Sequence, residues 1–213
     1  MVSESPRHLE GIAREIHEET GVEPPIDAFD LANLCGVETV PWGKPDGMLV
    51  MPGHPEIHVT APTIFYPRKA RPARAQGTCS HELGHFVSLR AGIDARDEEA
   101  ADYLAGALMI PRGALLAHLH EYDWDLLRIH PLHPNASWQM LVIRCVQVGE
   151  ASASIWDQGR CSRAYGADAA MLAEHRERVM RVLETGRAER GAIDAYPVFT
   201  PGFRRVVCVE RTV

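Results

Sequence analysis

The feature that most constrains this chain is a pair of histidines four residues apart with a glutamate beside the first, His81-Glu82-Leu83-Gly84-His85. On an α-helix, residues four apart project from one face. Both imidazoles can therefore reach one ion at about 2.0–2.1 Å. Glu82 points to the side of that face, where a carboxylate does not ligate but can take a proton from a water that the ion acidifies. Zinc lowers the pKa of such a water to about 7. Gly84 leaves room for a second backbone or a substrate to pass close. By residue frequency, an HExxH arises by chance in roughly one chain in twenty of this composition, which includes 11 histidines. The surrounding sequence has to supply the rest.

A catalytic zinc needs a third protein ligand and an open fourth position. The metzincin pattern places Gly three residues after the second histidine and His three further on. Ser88 and Ala91 stand there instead. The gluzincin pattern takes a carboxylate from the following helix, and Glu98-Glu99-Ala100-Ala101-Asp102 offers it. Glu98 and Asp102 share a helix face. Glu98 would ligate, and Asp102 would accept a hydrogen bond from the non-ligating nitrogen of a zinc histidine and hold its ring. Residues 91–97 suffice to reverse the chain between two antiparallel helices. Glu99 is the alternative ligand, turned about 100° away on the helix. A plainer reading also exists: acids in a first helical turn, with Asp94 and Asp97 before them, are favoured by the helix dipole alone.

These residues carry a resemblance. His81-Glu82-Leu83-Gly84-His85, then Glu98-x-x-Ala101-Asp102, then Leu104 to Pro111 resemble the ImmA/IrrE family of zinc metallopeptidases. Pro25-Ile26-Asp27, Gly36-Val37, Ile57 to Thr60, Ala136 to Gln139 and Ile143-Arg144 are similar as well, so the likeness runs over roughly residues 6–150. Asp102 replaces the family's usual Asn, Leu104 its Phe, and Cys79-Ser80 its apolar-Ala pair. None of these departures removes a ligand or the base. The resemblance implies an intracellular zinc endopeptidase that cuts a regulatory protein, often a helix-turn-helix repressor, to release gene expression.

The 213 residues are 46% hydrophobic and 24% charged, with a formal net charge of −7. That is ordinary for a globular chain and offers no general attraction to nucleic acid or anionic membrane. The first ten residues lack the apolar stretch of a signal peptide, and no run is long enough to span a membrane. Five dispersed cysteines (Cys35, Cys79, Cys145, Cys161 and Cys208) without a CxxC pair read as reduced thiols, which predicts a cytoplasmic protein.

Periodicity predicts helices over 6–20, 27–35, 77–90, 94–109, 111–119, 126–130, 138–148 and 167–186, with Ser137 capping the helix at 138. Short β-like runs lie at 37–40, 48–51 and 56–60, with further strands at 151–156 and 196–213. Residues 61–76, with three prolines and four cations, read as an exposed basic loop or as one wall of a substrate cleft. The expected class is α+β: a zincin-like helical core with a small antiparallel sheet over residues 1–130, followed by a smaller helical and β extension over 131–213.

An oxyanion-stabilising group remains open among His118, His120, His130, His133, Tyr66, Tyr103 and Arg74. Cys79 reads as a small buried residue, with an inhibitory thiol–zinc contact as the alternative. Ser137 to Gly149 reads as a packed helix. As a DNA-recognition helix it would expose Gln139, Arg144 and Gln147, and one Arg is too little charge for that. The helix over 167–186 reads as a salt-bridged exposed face or a partner-docking one. The functional expectation is peptide-bond hydrolysis of a protein substrate with Zn2+. The alternative is a zinc-containing regulatory module that binds a partner without cutting it. No oligomeric state is specified.

Overall fold

The computed structural model describes residues 4–94, 96–149 and 151–211. The chain begins with α1 (Pro6–Thr20) and α2 (Ala28–Leu34). Ser5 caps α1 by accepting from the His8 amide, Pro6 occupies the first turn, and Gly21 takes the left-handed exit conformation. Leu9, Ile12, Ala13 and Ile16 form its buried face. Asp27 caps α2 by accepting from the Phe29 and Asp30 amides.

Next come β1 (Glu38–Trp42), β2 (Met48–Val50) and β3 (Thr63–Pro67), a sheet of order β1-β3-β2. β1 runs parallel to β3, and β2 antiparallel to it, so this sheet is mixed. Two local expectations fail here. Residues 56–60 form bends and irregular chain, where His54 Nδ1 accepts from the Glu56 and Ile57 amides. The segment 61–76 is not a loop. Its first half is the central strand β3, where Thr63 and Ile64 are buried. Its second half opens α3 (Pro72–Arg90), which starts five residues before Gly77 because Pro72 suits the first helical turn.

Then follow α4 (Glu98–Met109), α5 (Arg112–Glu121), α6 (Leu126–Ile129) and α7 (Trp138–Gly149). Asp97, not Asp94, caps α4 by accepting from the Ala100 amide, while Asp94 accepts from Arg96 within the preceding turn. Ser137 caps α7 by accepting from the Met140 amide. The remaining chain forms β4 (Ala151–Asp157), β5 (Arg160–Tyr165), α8 (Ala169–Thr185), β6 (Ile193–Thr200) and β7 (Phe203–Arg211). These strands make an antiparallel sheet of order β5-β4-β7-β6. β5 was not expected; it is a polar edge strand with no buried residue. Residues 212–213 of the expected tail lie outside the described residues.

The α+β class holds. A large apolar cluster joins α1, α3, α4, α5 and α7 to Ala153, Tyr196, Val207 and Val209 of the second sheet. A smaller one packs Val179 and Val182 of α8 against Trp156, Ile193 and Val206. Arg144, which a DNA-recognition helix would expose, is fully buried under α4, donating from Nε to the Ile110 carbonyl and pairing with Glu10 at 2.6 Å. α7 therefore has no free Arg to offer DNA. Among the described residues, no helix is long and apolar enough to cross a membrane.

Candidate metal centre

The centre is built where α3 meets α4. Gly84 permits the contact. A Cβ at that position would overlap the Ala101 carbonyl oxygen and sit 3.1 Å from its carbon. Ala101 is itself fully buried. With glycine on one helix and alanine on the other, the backbones approach until the first turn of α4 lies over the His81–His85 face of α3.

Three potential ligand atoms then converge. His81 Nε2 and His85 Nε2 are 3.2 Å apart. Glu98 Oε2 is 3.3 Å from the first and 3.6 Å from the second. A tetrahedral ion with ligands at 2.0–2.1 Å separates any two of them by about 3.3 Å. The triangle thus matches three corners of a tetrahedron, and two imidazoles with one carboxylate are a donor set that suits zinc. His81, His85 and Glu98 form the group of potential metal ligands found among the described residues. Glu99 turns away, lining a cavity with Glu4, Pro6 and Tyr103.

Asp102 Oδ1 lies 2.8 Å from His81 Nδ1. With Nδ1–H donating to that carboxylate, Nε2 keeps its lone pair for the cluster. The same hydrogen bond is the main reason that the His81 pKa lies above the usual value. His85 Nδ1, by contrast, is buried with no hydrogen-bond partner.

Glu82 lies beside the cluster and faces β2. Its Oε2 accepts from the Leu49 amide at 2.9 Å, and a Cβ on Gly47 would fall 2.8 Å from Oε1. Burial is the largest influence on this carboxyl and raises its pKa, although His81 and the Leu49 amide pull the other way. β2 is an edge strand, paired only to β3. The Glu98 side chain is 69% exposed and that of Asp102 75%, so the centre opens to solvent on the α4 side.

None of the histidines and tyrosines weighed for an oxyanion role contacts this cluster. His118 and His133 pair with each other at 3.2 Å, and His130 stacks on Trp138. His120 is exposed. Tyr66 packs on Phe29, and Tyr103 donates to Glu10. Arg74 donates to the Pro45 carbonyl. Cys79 is fully buried, its thiol 3.5 Å from the Ala28 carbonyl oxygen, and burial pushes its pKa to about 12. Tyr165 on β5 was missed. Burial raises its phenol pKa, and Asp102 adds a smaller push in the same direction. No motif marks a tyrosine 63 positions downstream of Asp102.

Helix packing, ligand geometry and flanking carboxylates together define a metallopeptidase-like centre on a zincin-like core. The family comparison covers the segment that carries this centre. Residues 47–139 match the family described as IrrE N-terminal-like domain, Peptidase_M78, and over that segment the resemblance to the ImmA/IrrE family is borne out. The match contains every residue of the candidate centre and stops short of β4 and the second sheet. Among solved structures, the chain is similar to a Mycobacterium tuberculosis transcriptional regulator, at 14% identity and a TM-score of 0.65 over 96% of this chain and 76% of that one. At that identity the likeness concerns the fold. A search of curated proteins found no match.

Proposed function

We propose that this chain is an intracellular zinc endopeptidase that cuts a regulatory protein. The observation that carries the reading is the convergence of His81 Nε2, His85 Nε2 and Glu98 Oε2 within 4.8 Å of one another, with the Glu82 carboxylate beside them. A zinc ion held by those three atoms would supply a Lewis acid and an acidified water. Asp102 fixes the His81 ring through Nδ1. Glu82 would take a proton from the attacking water and deliver it to the leaving nitrogen. β2 is the edge strand beside the centre, and an extended peptide laid across the centre could pair with it once the Leu49 amide is released from Glu82.

A helix-turn-helix repressor is the class of substrate that the family resemblance suggests. The similarity to a protein titled a transcriptional regulator is consistent with a role in gene control. We place the peptidase unit within residues 1–130, the remainder forming an extension, and the protein in the cytoplasm. A non-cutting, zinc-containing partner-binding module would keep His81, His85 and Glu98 but has no use for Glu82, so cleavage is favoured.

The test is co-expression with a repressor encoded beside this protein. Wild type should yield repressor fragments, and Glu82→Gln should yield none while keeping its zinc. Fragments produced equally by Glu82→Gln would remove Glu82 as the base. Intact repressor with both forms would favour the binding module.

A further inference from the structure

The end of the β1–β3 sheet and the start of α3 enclose a second feature, a cavity of about 580 Å³ lined by Lys44, Arg68, Lys69 and Arg74 with Trp42 and Pro67. All four cations are exposed. Among the described residues none of them makes an ion pair: Arg68 and Arg74 donate only to the Pro41 and Pro45 carbonyls, and Lys44 sits over the Trp42 ring at 4.9 Å. No acidic side chain lines the cavity. Four unneutralised charges in one pocket are unexpected in a chain whose net charge is −7, and each repels the others unless an anion offsets them.

The pocket also lies in line with the metal centre. Arg74, Thr78 and Glu82 follow one another at four-residue intervals on α3, so they share a face. Arg74 is thus about 12 Å along the helix from Glu82. The loop that walls the pocket runs directly into β2 through Gly47, which touches Thr78 and Glu82. An extended peptide advances about 3.3 Å per residue, so one crossing the centre reaches the pocket about four residues from the bond above Glu82.

We infer that this pocket is a substrate-docking site for an acidic segment of the target protein, Glu- or Asp-rich, on one side of the cut bond. A nucleic-acid strand fits less well. The cations line a single short pocket instead of forming a stripe that could follow a phosphate backbone. The position of the segment rests on the peptidase reading; the binding itself rests on the pocket alone.

Fluorescence anisotropy with a labelled hexaglutamate peptide and the full-length chain tests the inference. Hexaglutamate should bind more tightly than hexalysine and weaken as salt rises from roughly 0.05 to 0.5 M. The Arg68→Glu/Lys69→Glu variant should lose about tenfold or more. Arg7→Glu/Arg14→Glu, which makes the same charge change on α1, should bind as wild type does. His81→Ala should also bind hexaglutamate normally, so a failed metal centre and a failed pocket give different results. The inference is overturned if hexaglutamate binds no better than hexalysine or if the two double variants weaken it equally. It is also overturned if an oligothymidylate outcompetes hexaglutamate at the pocket, which would assign the site to nucleic acid.

Discussion

Gly84 lies against the backbone of Ala101 so closely that a single added methyl would overlap the Ala101 carbonyl oxygen. This contact sets the height of α4 above α3, and with it the distance of Glu98 from the two histidines. Gly84→Ala gains about 1 kcal/mol of helix propensity. It meets a carbonyl that cannot rotate aside, an overpacking that costs about 1–3 kcal/mol. The clash wins, and α4 must lift. Zinc affinity measured by chelator competition should fall about tenfold, and Tm should not rise. Unchanged affinity would show that the helix spacing does not set the centre.

Asp102 has one evident task, to hold His81 Nδ1 at 2.8 Å. Asp102→Ala should weaken zinc binding about 10–100-fold. Asp102→Asn keeps an acceptor oxygen and should lose less. If the two variants lose equally, the charge of Asp102 and not its hydrogen bond is what matters.

Arg144 is buried without exposure and depends on Glu10, bonded at 2.6 and 2.9 Å. Burial pushes the Glu10 pKa up, but Arg144 and Tyr103 outweigh it, and the net pKa is lowered. A lowered carboxyl pKa stabilises the fold above the unfolded value of about 4.3. That contribution is lost as pH falls through the lower, folded value. Glu10→Gln should destabilise by about 3 kcal/mol at neutral pH, because it leaves a guanidinium buried and unpaired. Its deficit relative to wild type should shrink as pH drops below about 4. Denaturant titrations at neutral and acid pH measure both.

His133 is 2% exposed, and burial, with His118 and His130 nearby, lowers its pKa to about 4. An unfolded histidine takes up its proton near 6.5. Between those values the unfolded state binds the proton and the folded state does not, so stability falls with pH by up to about 3 kcal/mol. His133→Gln should flatten the pH dependence of urea midpoints over that window. A slope as steep as wild type would place the acid sensitivity elsewhere.

Much of this could be read in the sequence where local chemistry and packing agree. Leu9, Ile12, Ala13 and Ile16 declare the buried face of α1 through their spacing, and Pro6 and Gly21 mark its ends. Ser137 does the same for the start of α7. His81, His85, Glu98 and Asp102 could be paired because each helix places its two at four-residue intervals. What could not be read depends on contacts between distant segments. β3 looks like loop because prolines and cations surround Thr63-Ile64-Phe65-Tyr66, yet β1 and β2 pair on either side of it. β5 carries no apolar alternation, since it is a polar edge. The ion pair that accompanies the burial of Arg144 is to Glu10, 134 positions away, and leaves no local mark. The tether from Leu49 to Glu82 likewise belongs to tertiary structure alone.

The central claim is that His81, His85 and Glu98 hold one zinc ion. Its most direct test is metal content per chain by mass spectrometry, after zinc loading and desalting, for wild type, His81→Ala and Glu98→Gln, with Glu99→Gln as control. The account predicts one zinc per chain in wild type and Glu99→Gln, none in His81→Ala, and a sharply reduced content in Glu98→Gln. A wild-type chain that retains no zinc, or a His81→Ala chain that retains as much as wild type, would contradict it.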